Sequence, residues 1–192
     1  MNQIVFASQN ENKVKEIRAQ LGDHLQVLSL NDIGHTEELA EDQNTLEGNA
    51  LQKARFVSQE LGYDCFADDT GLEVEFLGGA PGVFSARYAG AAKEANANMD
   101  KLLTELKGAD NRMARFRTAV ALIIDGKEYL FDGICEGEIL QTKRGDKGFG
   151  YDPIFKPEGY DLSFAEMDLE EKAKIGHRGK AIQQLIAFLN QL

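Results

Sequence analysis

The sequence predicts an α/β protein built on a mixed β-sheet that is flanked by helices. In its N-terminal third, short apolar runs typical of buried strands alternate with stretches whose apolar residues recur at helical spacing. In its middle, two strand-like runs flank Asp125-Gly126, a dipeptide typical of a tight hairpin turn. Alternating strands and helices together with one antiparallel pair indicate a mixed sheet.

The N-terminal elements are predicted from apolar spacing and from residues that start or stop helices. The predicted strands are 3–7, 26–30 and 64–67, and the helices present Val14, Ile17 and Leu21, and then Leu46, Ala50, Leu51, Ala54, Val57 and Leu61. Gly22 and Gly62 are predicted to end these helices, and Thr45 to cap the second. The acidic segment 31–44 between them is predicted to be a largely solvated loop.

The remaining elements are predicted by the same signals. A helix over 92–106 precedes the hairpin strands 116–124 and 127–134, and a further strand segment is predicted near 137–140. Residues 145–153 hold three glycines and a proline and are predicted to be irregular. Asp168 and Glu171 fit a capping box, and a last helix presents Ile182, Leu185, Ile186 and Leu189 on one face.

Length and charge limit the classes of function. A chain of 192 residues suits one domain with a substantial core, and a net charge of −11 disfavours binding to nucleic-acid polymers or anionic membranes. An anionic ligand would need local lysines and a metal ion. The absence of a transmembrane run or signal-type segment leads us to expect a cytoplasmic protein, with Cys65 and Cys135 as buried free thiols.

The stretch from Cys65 to Leu72 is the first candidate for chemistry. An apolar run meets Asp68-Asp69-Thr70-Gly71, which we interpret as a strand end or tight turn. Adjacent carboxylates at such a position can hold a hard cation, orient water or accept a proton. The alternative is an Asp-rich turn with no chemical role.

Three other stretches are candidates for binding. Ser8-x-Asn10-x-x-Lys13 lies between a strand and a helix, where a helix N-terminus and a lysine favour phosphate. By itself this stretch is more typical of a plain helix cap with a solvent-exposed lysine. Gly148-Phe149-Gly150 would let a ring approach a flat ligand, or else pin the loop to the core. Gly176-His177-Arg178-Gly179 offers hydrogen-bond donors at a helix start, or is a simple helix–helix turn.

These stretches occur together in one order, with Gly78-Gly79-Ala80-Pro81-Gly82 and Ser85-Ala86-Arg87-Tyr88 between them. The ordered set resembles the inosine triphosphate pyrophosphatase family, also called the Ham1 or non-canonical purine NTP pyrophosphatases, over nearly the whole chain. The resemblance implies one pyrophosphatase domain over residues 1–192. It also implies an elongated mixed sheet flanked by helices, two lobes with a cleft between them, and a homodimer.

The resemblance further implies an activity and its residues. The activity is Mg²⁺-dependent hydrolysis of dITP, ITP, XTP and dXTP to the monophosphate and pyrophosphate, which cleanses the nucleotide pool. Asp69 and Lys13 are assigned to catalysis, and Glu41 and Asp69 to the metal ion. The substrate-binding residues are Ser8, Gln9, Asn10, Glu11, Asn12, Lys13, Lys53, Thr70, Phe149, Gly150, Tyr151, Asp152, Lys172, His177 and Arg178. Gln9 departs from the glycine that many members carry.

A mechanism and its rivals follow from these assignments. Asp69 is expected to orient and deprotonate the water that attacks the α-phosphorus, while Lys13, Lys53 and Mg²⁺ hold the triphosphate. Phe149 is expected to stack on the base, and His177 and Arg178 to donate to its 6-keto oxygen. A Maf-like nucleotide pyrophosphatase with another base preference and a non-catalytic nucleotide sensor are the alternatives.

Overall fold

The computed structural model describes residues 3–21 and 25–191. The strands in these ranges are β1 (Gln3–Phe6), β2 (Gln26–Ser29), β3 (Cys65–Val74), β4 (Pro81–Gly82), β5 (Met113–Ile124), β6 (Lys127–Ile139) and β7 (Phe155–Pro157). The α-helices are α1 (Glu11–Leu21), α2 (Leu46–Glu60), α3 (Ala95–Glu105), α4 (Leu169–Ile175) and α5 (His177–Leu189). Within the described ranges, no helix is long and apolar enough to span a bilayer.

The seven strands form a mixed sheet, which confirms the predicted α/β class. Their order is β2-β1-β3-β5-β6-β7, with β4 paired to β3 off this path. Strand β1 is parallel to both β2 and β3, whereas β4 is antiparallel to β3 and β7 is antiparallel to β6. The predicted turn joins β5 to β6, with Asp125 and Gly126 at φ 49° and 71°, the left-handed region that Asp and Gly tolerate in tight hairpins.

The chain divides into two compact units, each with its own apolar core. The first unit comprises the described residues of 1–69, 118–133 and 178–192, and the second comprises 70–117 and 134–177. In the second unit, Phe116 packs edge-on against Phe155 at 4.7 Å between ring centroids. Phe164 and Leu102 of α3 complete this core, and both are fully buried.

In the first unit, the pleat of β3 sends successive side chains to opposite faces of the sheet. Phe66 belongs to the apolar cluster formed with α1 and α5, where Ile17 and Ile182 are buried. Its neighbours Cys65 and Ala67 belong instead to the cluster formed with α2. Because strand side chains alternate with a period of two, the even-numbered β3 residues of this unit face α1 and α5, and its odd-numbered β3 residues up to Asp69 face α2.

The interpretation of Asp68-Asp69-Thr70-Gly71 as a strand end or turn is wrong. Strand β3 runs through all four residues and continues to Val74, whose side chain is fully buried. Gly71 fits this strand because a Cβ there would lie 2.7 Å from the carbonyl oxygen of Gly82 in β4. The strand continues past the carboxylates because their charges are met by other side chains, as described below.

Other predicted features can be compared directly. Thr45 caps α2, its Oγ1 accepting a hydrogen bond from the Gly48 amide at 3.0 Å, and Gly62 follows the helix with φ 74°. Strand β6 is one continuous strand to Ile139, where two segments were predicted. The cysteines are buried free thiols, as expected. The predicted helix stop at Gly22 lies outside the described residues.

Candidate active site

The predicted site residues lie in both units, and each set is described by itself. The first unit holds Ser8, Gln9, Asn10, Glu11, Asn12, Lys13, Glu41, Lys53, Asp69 and Arg178. The second unit holds Thr70, Phe149, Gly150, Tyr151, Asp152, Lys172 and His177.

The segment between β1 and α1 is a helix cap that fixes Lys13. The Asn10 side-chain oxygen accepts hydrogen bonds from the amides of Asn12 and Lys13 at 3.1 and 3.2 Å. Ser8 Oγ in turn accepts from the Asn10 amide at 3.1 Å. Lys13 therefore stands in the first turn of α1, the end of a helix that favours negative charge.

Asp68 lies at the centre of a buried ionic network on the α1–α5 face of the sheet. Its Oδ1 accepts from Lys13 Nζ at 2.9 Å and its Oδ2 from Arg178 Nε at 3.1 Å. Arg178 also pairs through Nη1 with Glu16 of α1, and Arg178, Asp68 and Glu16 are all buried. Lone buried charges are costly, so each member stabilises the placement of the next.

The ionisation of Asp68 follows from this network. Burial disfavours its charged form, but Lys13, Arg178 and Lys53 together outweigh that cost and hold the pKa of Asp68 well below its usual range. For Arg178, burial opposes the charge, while Glu16 and Asp68 raise its pKa above the usual value. Asp68 is therefore a permanent anion that orders cations around it.

Asp69 meets a different environment on the α2 face. Its Oδ2 accepts a hydrogen bond from Asn49 Nδ2 at 2.8 Å, and both side chains are buried. Burial raises the pKa of Asp69; Lys53 and Lys13 lower it in part, and the negative charge of Glu41 raises it further. Asp69 is thus a carboxylate with an increased tendency to accept a proton, as a general base requires.

Lys53 joins the acidic segment to this strand. From α2 its Nζ donates to the backbone oxygen of Asp68 at 2.6 Å and pairs with Glu41. Burial lowers the pKa of Lys53, but Glu41, Asp68 and Asp69 together raise it above the usual value. Lys53 is consequently a buried cation. Through its ion pair, Glu41, the predicted metal ligand of the acidic segment, enters the electrostatic environment of Asp69.

Glu41 and Asp69 are suitable ligands for a metal ion that arrives with phosphates. Among residues 3–21 and 25–191, no group of three or more His, Cys, Asp or Glu side chains is arranged to hold a metal by itself. Mg²⁺ usually takes one or two carboxylates and completes its shell with substrate phosphates and water. Lys53 Nζ pairs with Glu41 and donates to the backbone oxygen of Asp68, which places Glu41 near the strand that carries Asp69, as that kind of site requires.

In the second unit, the loop 148–152 is held by Asp152. The Asp152 carboxylate accepts from the Phe149 amide at 2.9 Å and from Lys172 Nζ at 2.6 Å. A Cβ on Gly148, where φ is 69°, would lie 2.0 Å from Asp152 Oδ2, so only glycine suits this conformation. Tyr151 is buried and donates from its hydroxyl to the Ser85 carbonyl at 2.7 Å, which anchors the loop to the core.

Lys172 also lies beside the ring of Phe149. Lys172 Nζ lies 5.0 Å from the centroid of the half-buried Phe149 ring. His177 is buried and stacks on Phe116 at 4.5 Å between centroids, with 17° between the ring planes. Thr70 and Gly150 are half-buried. A half-buried ring beside a buried cation can provide one face for a flat, electron-rich ligand.

Arg178 belongs to the first unit and not to this set. Its guanidinium binds Asp68 and Glu16. His177, which precedes it in the sequence, packs in the second unit. A role for Arg178 at the base edge therefore stays a prediction, and its described contacts favour the positioning of Asp68.

Sequence reasoning did not identify two residues of the first unit. Glu16 stands three positions after Lys13 on α1, and Asn49 stands four positions before Lys53 on α2. Residues three or four apart share one face of a helix. Their helical spacing from Lys13 and Lys53 is therefore the sequence signal that could have identified Glu16 and Asn49.

Comparisons with known proteins found matches over nearly the whole chain. The Ham1 family model matches residues 4–188. The chain is 59% identical over 186 residues to the dITP/XTP pyrophosphatase of Flavobacterium psychrophilum, covering 97% of this chain and 98% of that protein. It is 47% identical to the enzyme of the same name from Bacillus licheniformis, covering 100% of both. The structure of a HAM1 protein from Coxiella burnetii matches with a TM-score of 0.90 at 37% identity, covering 100% of each chain.

Proposed function

The chain belongs to the Ham1 family, and on that premise we propose that it hydrolyses dITP, ITP and XTP to the monophosphate and pyrophosphate. Its relatives from Flavobacterium psychrophilum and Bacillus licheniformis are dITP/XTP pyrophosphatases. The observation that carries the proposal is that Asp68 and Asp69, adjacent and buried in β3, meet different partners. Their pKa values are accordingly moved in opposite directions. Pairs of acids whose environments separate their pKa values are typical of acid–base sites. We take residues 1–192 as one such catalytic domain.

The proposed reaction uses Asp69 as general base. Water attacks the α-phosphorus, and its proton passes to the Asp69 carboxylate as the oxygen–phosphorus bond forms. The bond between the α-phosphorus and the bridging oxygen breaks, and pyrophosphate leaves. The raised pKa of Asp69 supports this role, and its hydrogen bond from Asn49 keeps the accepting carboxylate in one orientation.

The triphosphate is proposed to bind at the start of α1. A helix N-terminus and the Lys13 and Lys53 ammonium groups offer positive charge to a ligand with about four negative charges. Asp68 keeps Lys13 in place through the 2.9 Å ion pair while it remains ionised. These local cations are needed because the protein as a whole carries a net charge of −11.

Mg²⁺ belongs to the proposal, with Glu41 and Asp69 as the residues that would hold it. When bound, the ion offsets negative charge on the phosphate oxygens. Asp69 would serve both as a ligand of the ion and as the base for the water, and Lys53 offsets the charge of the two carboxylates.

The base is proposed to bind at the loop 148–152. Phe149 offers a ring face for stacking, and the Asp152–Lys172 ion pair holds the loop. Thr70, Gly150 and His177 complete the proposed contacts. We expect the enzyme to act as a cytoplasmic homodimer. Its net negative charge disfavours binding to nucleic-acid polymers and anionic membranes.

Pyrophosphate release from ITP with Mg²⁺ tests the proposed function. The wild-type protein is expected to release pyrophosphate from ITP and XTP and much less from ATP, and Asp69→Asn is expected to lower turnover by roughly 10²-fold or more. Glu128→Gln, which breaks an ion pair on an exposed surface, is the control and should keep wild-type turnover. A protein that binds ITP without releasing pyrophosphate would be a sensor, and a preference for other bases would indicate a Maf-like enzyme.

A further inference from the structure

Gln9 lies in the segment proposed to bind the triphosphate, but its side chain binds a different part of the protein. Its Nε2 donates to the carbonyl oxygens of His35 and Glu37 at 3.0 and 3.2 Å. Both partners are acceptors, so only the amide nitrogen of Gln9 can make these two contacts. These two hydrogen bonds join residues that are 26 and 28 positions apart in the sequence, and both acceptors lie in the middle of the acidic segment 31–44.

That segment has no helix or strand of its own to hold it in place. Near its start, Asp32 accepts from the Ser29 amide at 2.7 Å. At its end, the Gln43 amide donates to Asn49 Oδ1 at 2.9 Å. Between these two attachments, Gln9 holds the carbonyls of His35 and Glu37. Glu37 lies four residues before Glu41 in the sequence. The segment is thus bound on one side by Gln9 and on the other by the Lys53–Glu41 pair.

Two further hydrogen bonds join the same two stretches of chain. Asn31 Nδ2 donates to Glu11 Oε1 at 2.7 Å, and the Leu30 amide donates to the Ser8 carbonyl at 3.2 Å. The segment that starts α1 and the segment that carries Glu41 are therefore tied together at several points. Through such ties, the placement of a carboxylate on one segment depends on the conformation of the other.

We propose that Gln9 is a positioning residue: its amide holds the acidic segment so that Glu41 is in place for a divalent cation when the polyphosphate occupies the start of α1. This inference rests on the proposed function for its ligands, a divalent cation with a polyphosphate. Gln9 itself contacts neither ligand through its amide. By thermodynamic linkage, the factor by which a polyphosphate beside Gln9 changes cation affinity at Glu41 equals the factor by which the cation changes polyphosphate affinity. The proposal predicts that this factor is favourable.

Gln9→Met tests the proposal, because it keeps the length and neutrality of the side chain and removes the amide donor. The matched control is Gln184→Met, since Gln184 Nε2 also donates to a backbone carbonyl of the same unit, that of Asp132 at 2.6 Å. Gln9→Asn, which keeps the amide on a shorter side chain, is a second variant if the methionine variant folds poorly. Each protein is compared with the wild type at equal concentration and equal circular dichroism.

Two measurements that need no turnover are made on each variant. A glutamyl endopeptidase samples opening of the segment by cleavage after Glu37 and Glu38, and losing two neutral hydrogen bonds is expected to raise that cleavage rate by about tenfold in Gln9→Met. Electron paramagnetic resonance follows Mn²⁺ binding in the presence of inorganic pyrophosphate, where the dissociation constant is expected to rise by about threefold or more. Gln184→Met should match the wild type in both.

The outcomes separate positioning from a purely structural role. Cleavage at the wild-type rate in Gln9→Met overturns the proposal, because the amide would then not hold the segment. Faster cleavage with unchanged Mn²⁺ affinity also overturns it, since Gln9 would stabilise the segment without placing Glu41. A wild-type protein that binds Mn²⁺ with pyrophosphate yet releases no pyrophosphate from ITP would overturn the proposed function alone.

Discussion

Asp68→Asn is expected to lower the free energy of unfolding by about 3–5 kcal/mol, the cost of breaking a buried ion pair from one side. The substitution keeps the shape of the side chain but removes the negative charge between Lys13 and Arg178. The side chains of Asp68 and Arg178 are only 1% and 4% exposed, so water cannot replace the lost charge. Of the two carboxylates that pair with the buried guanidinium, Glu16 then still carries its charge.

Two control substitutions calibrate that magnitude. Glu128→Gln breaks an ion pair with Arg55 in which both side chains are more than a third exposed, so the expected loss is below about 1 kcal/mol. Asp69→Asn changes the neighbouring residue of the same strand. Because burial raises the pKa of Asp69, its charged form is disfavoured in the folded state, and a neutral amide there should cost little stability or even increase it.

Urea unfolding at pH 7 ranks the three variants. Asp68→Asn should be far less stable than the other two, and an Asp68→Asn protein as stable as Glu128→Gln would refute the assignment of Asp68 as a buried ionic centre. The pH dependence supplies a second check. The pKa of Asp68 is depressed in the folded state, so its contribution is complete above its unfolded value of about 3.9 and is lost as the pH falls towards the folded value. The stability difference between wild type and Asp68→Asn should therefore narrow below about pH 4.

The other predictions concern turnover. Lys13→Ala should lower kcat/KM for every triphosphate while the ITP/GTP ratio stays the same; a changed ratio would contradict a phosphate role. Phe149→Ala should cost about 1–3 kcal/mol of nucleotide binding for all purines alike, measured by calorimetry. Arg178→Ala should lower kcat/KM for ITP, XTP, GTP and ATP by similar factors because it displaces Asp68, whereas a collapse of ITP-over-ATP selectivity would place Arg178 at the base edge. With Asp69 as base, kcat/KM should fall on acidification at a pH above the ordinary Asp pKa of about 3.9.

The features that the sequence predicted well depend on neighbouring residues. Thr45 caps α2 through the amide three residues later, and Asp125-Gly126 closes the hairpin within two residues. Apolar spacing identified the helices because each buries one face against the sheet. Such interactions are encoded within a single turn or a single element, so a single sequence is enough to recognise them.

The features that the sequence did not predict depend on distant residues. Asp and Gly usually end a strand, which is why Asp68-Asp69-Thr70-Gly71 was interpreted as a strand end or turn. The strand continues because Asp68 is neutralised by Lys13, 55 residues away, and by Arg178, 110 residues away. No local pattern contains those partners. The same reason explains why Glu16 was overlooked, since its partner Arg178 lies 162 residues further along the chain.

The interior position of Asp68 and Asp69 in β3 also accounts for their different chemistry. In a turn, adjacent carboxylates would share one solvated environment and titrate alike. In a strand, the pleat directs them to opposite faces. Asp68 faces α1 and α5, which supply the half-buried Lys13 and the buried Arg178. Asp69 faces α2, which supplies the neutral amide of Asn49 and the buried Lys53, whose charge also serves Glu41 and Asp68. Burial is severe on both sides, so the difference in partners decides the direction of each pKa, and one residue stays an anion while its neighbour becomes a proton acceptor.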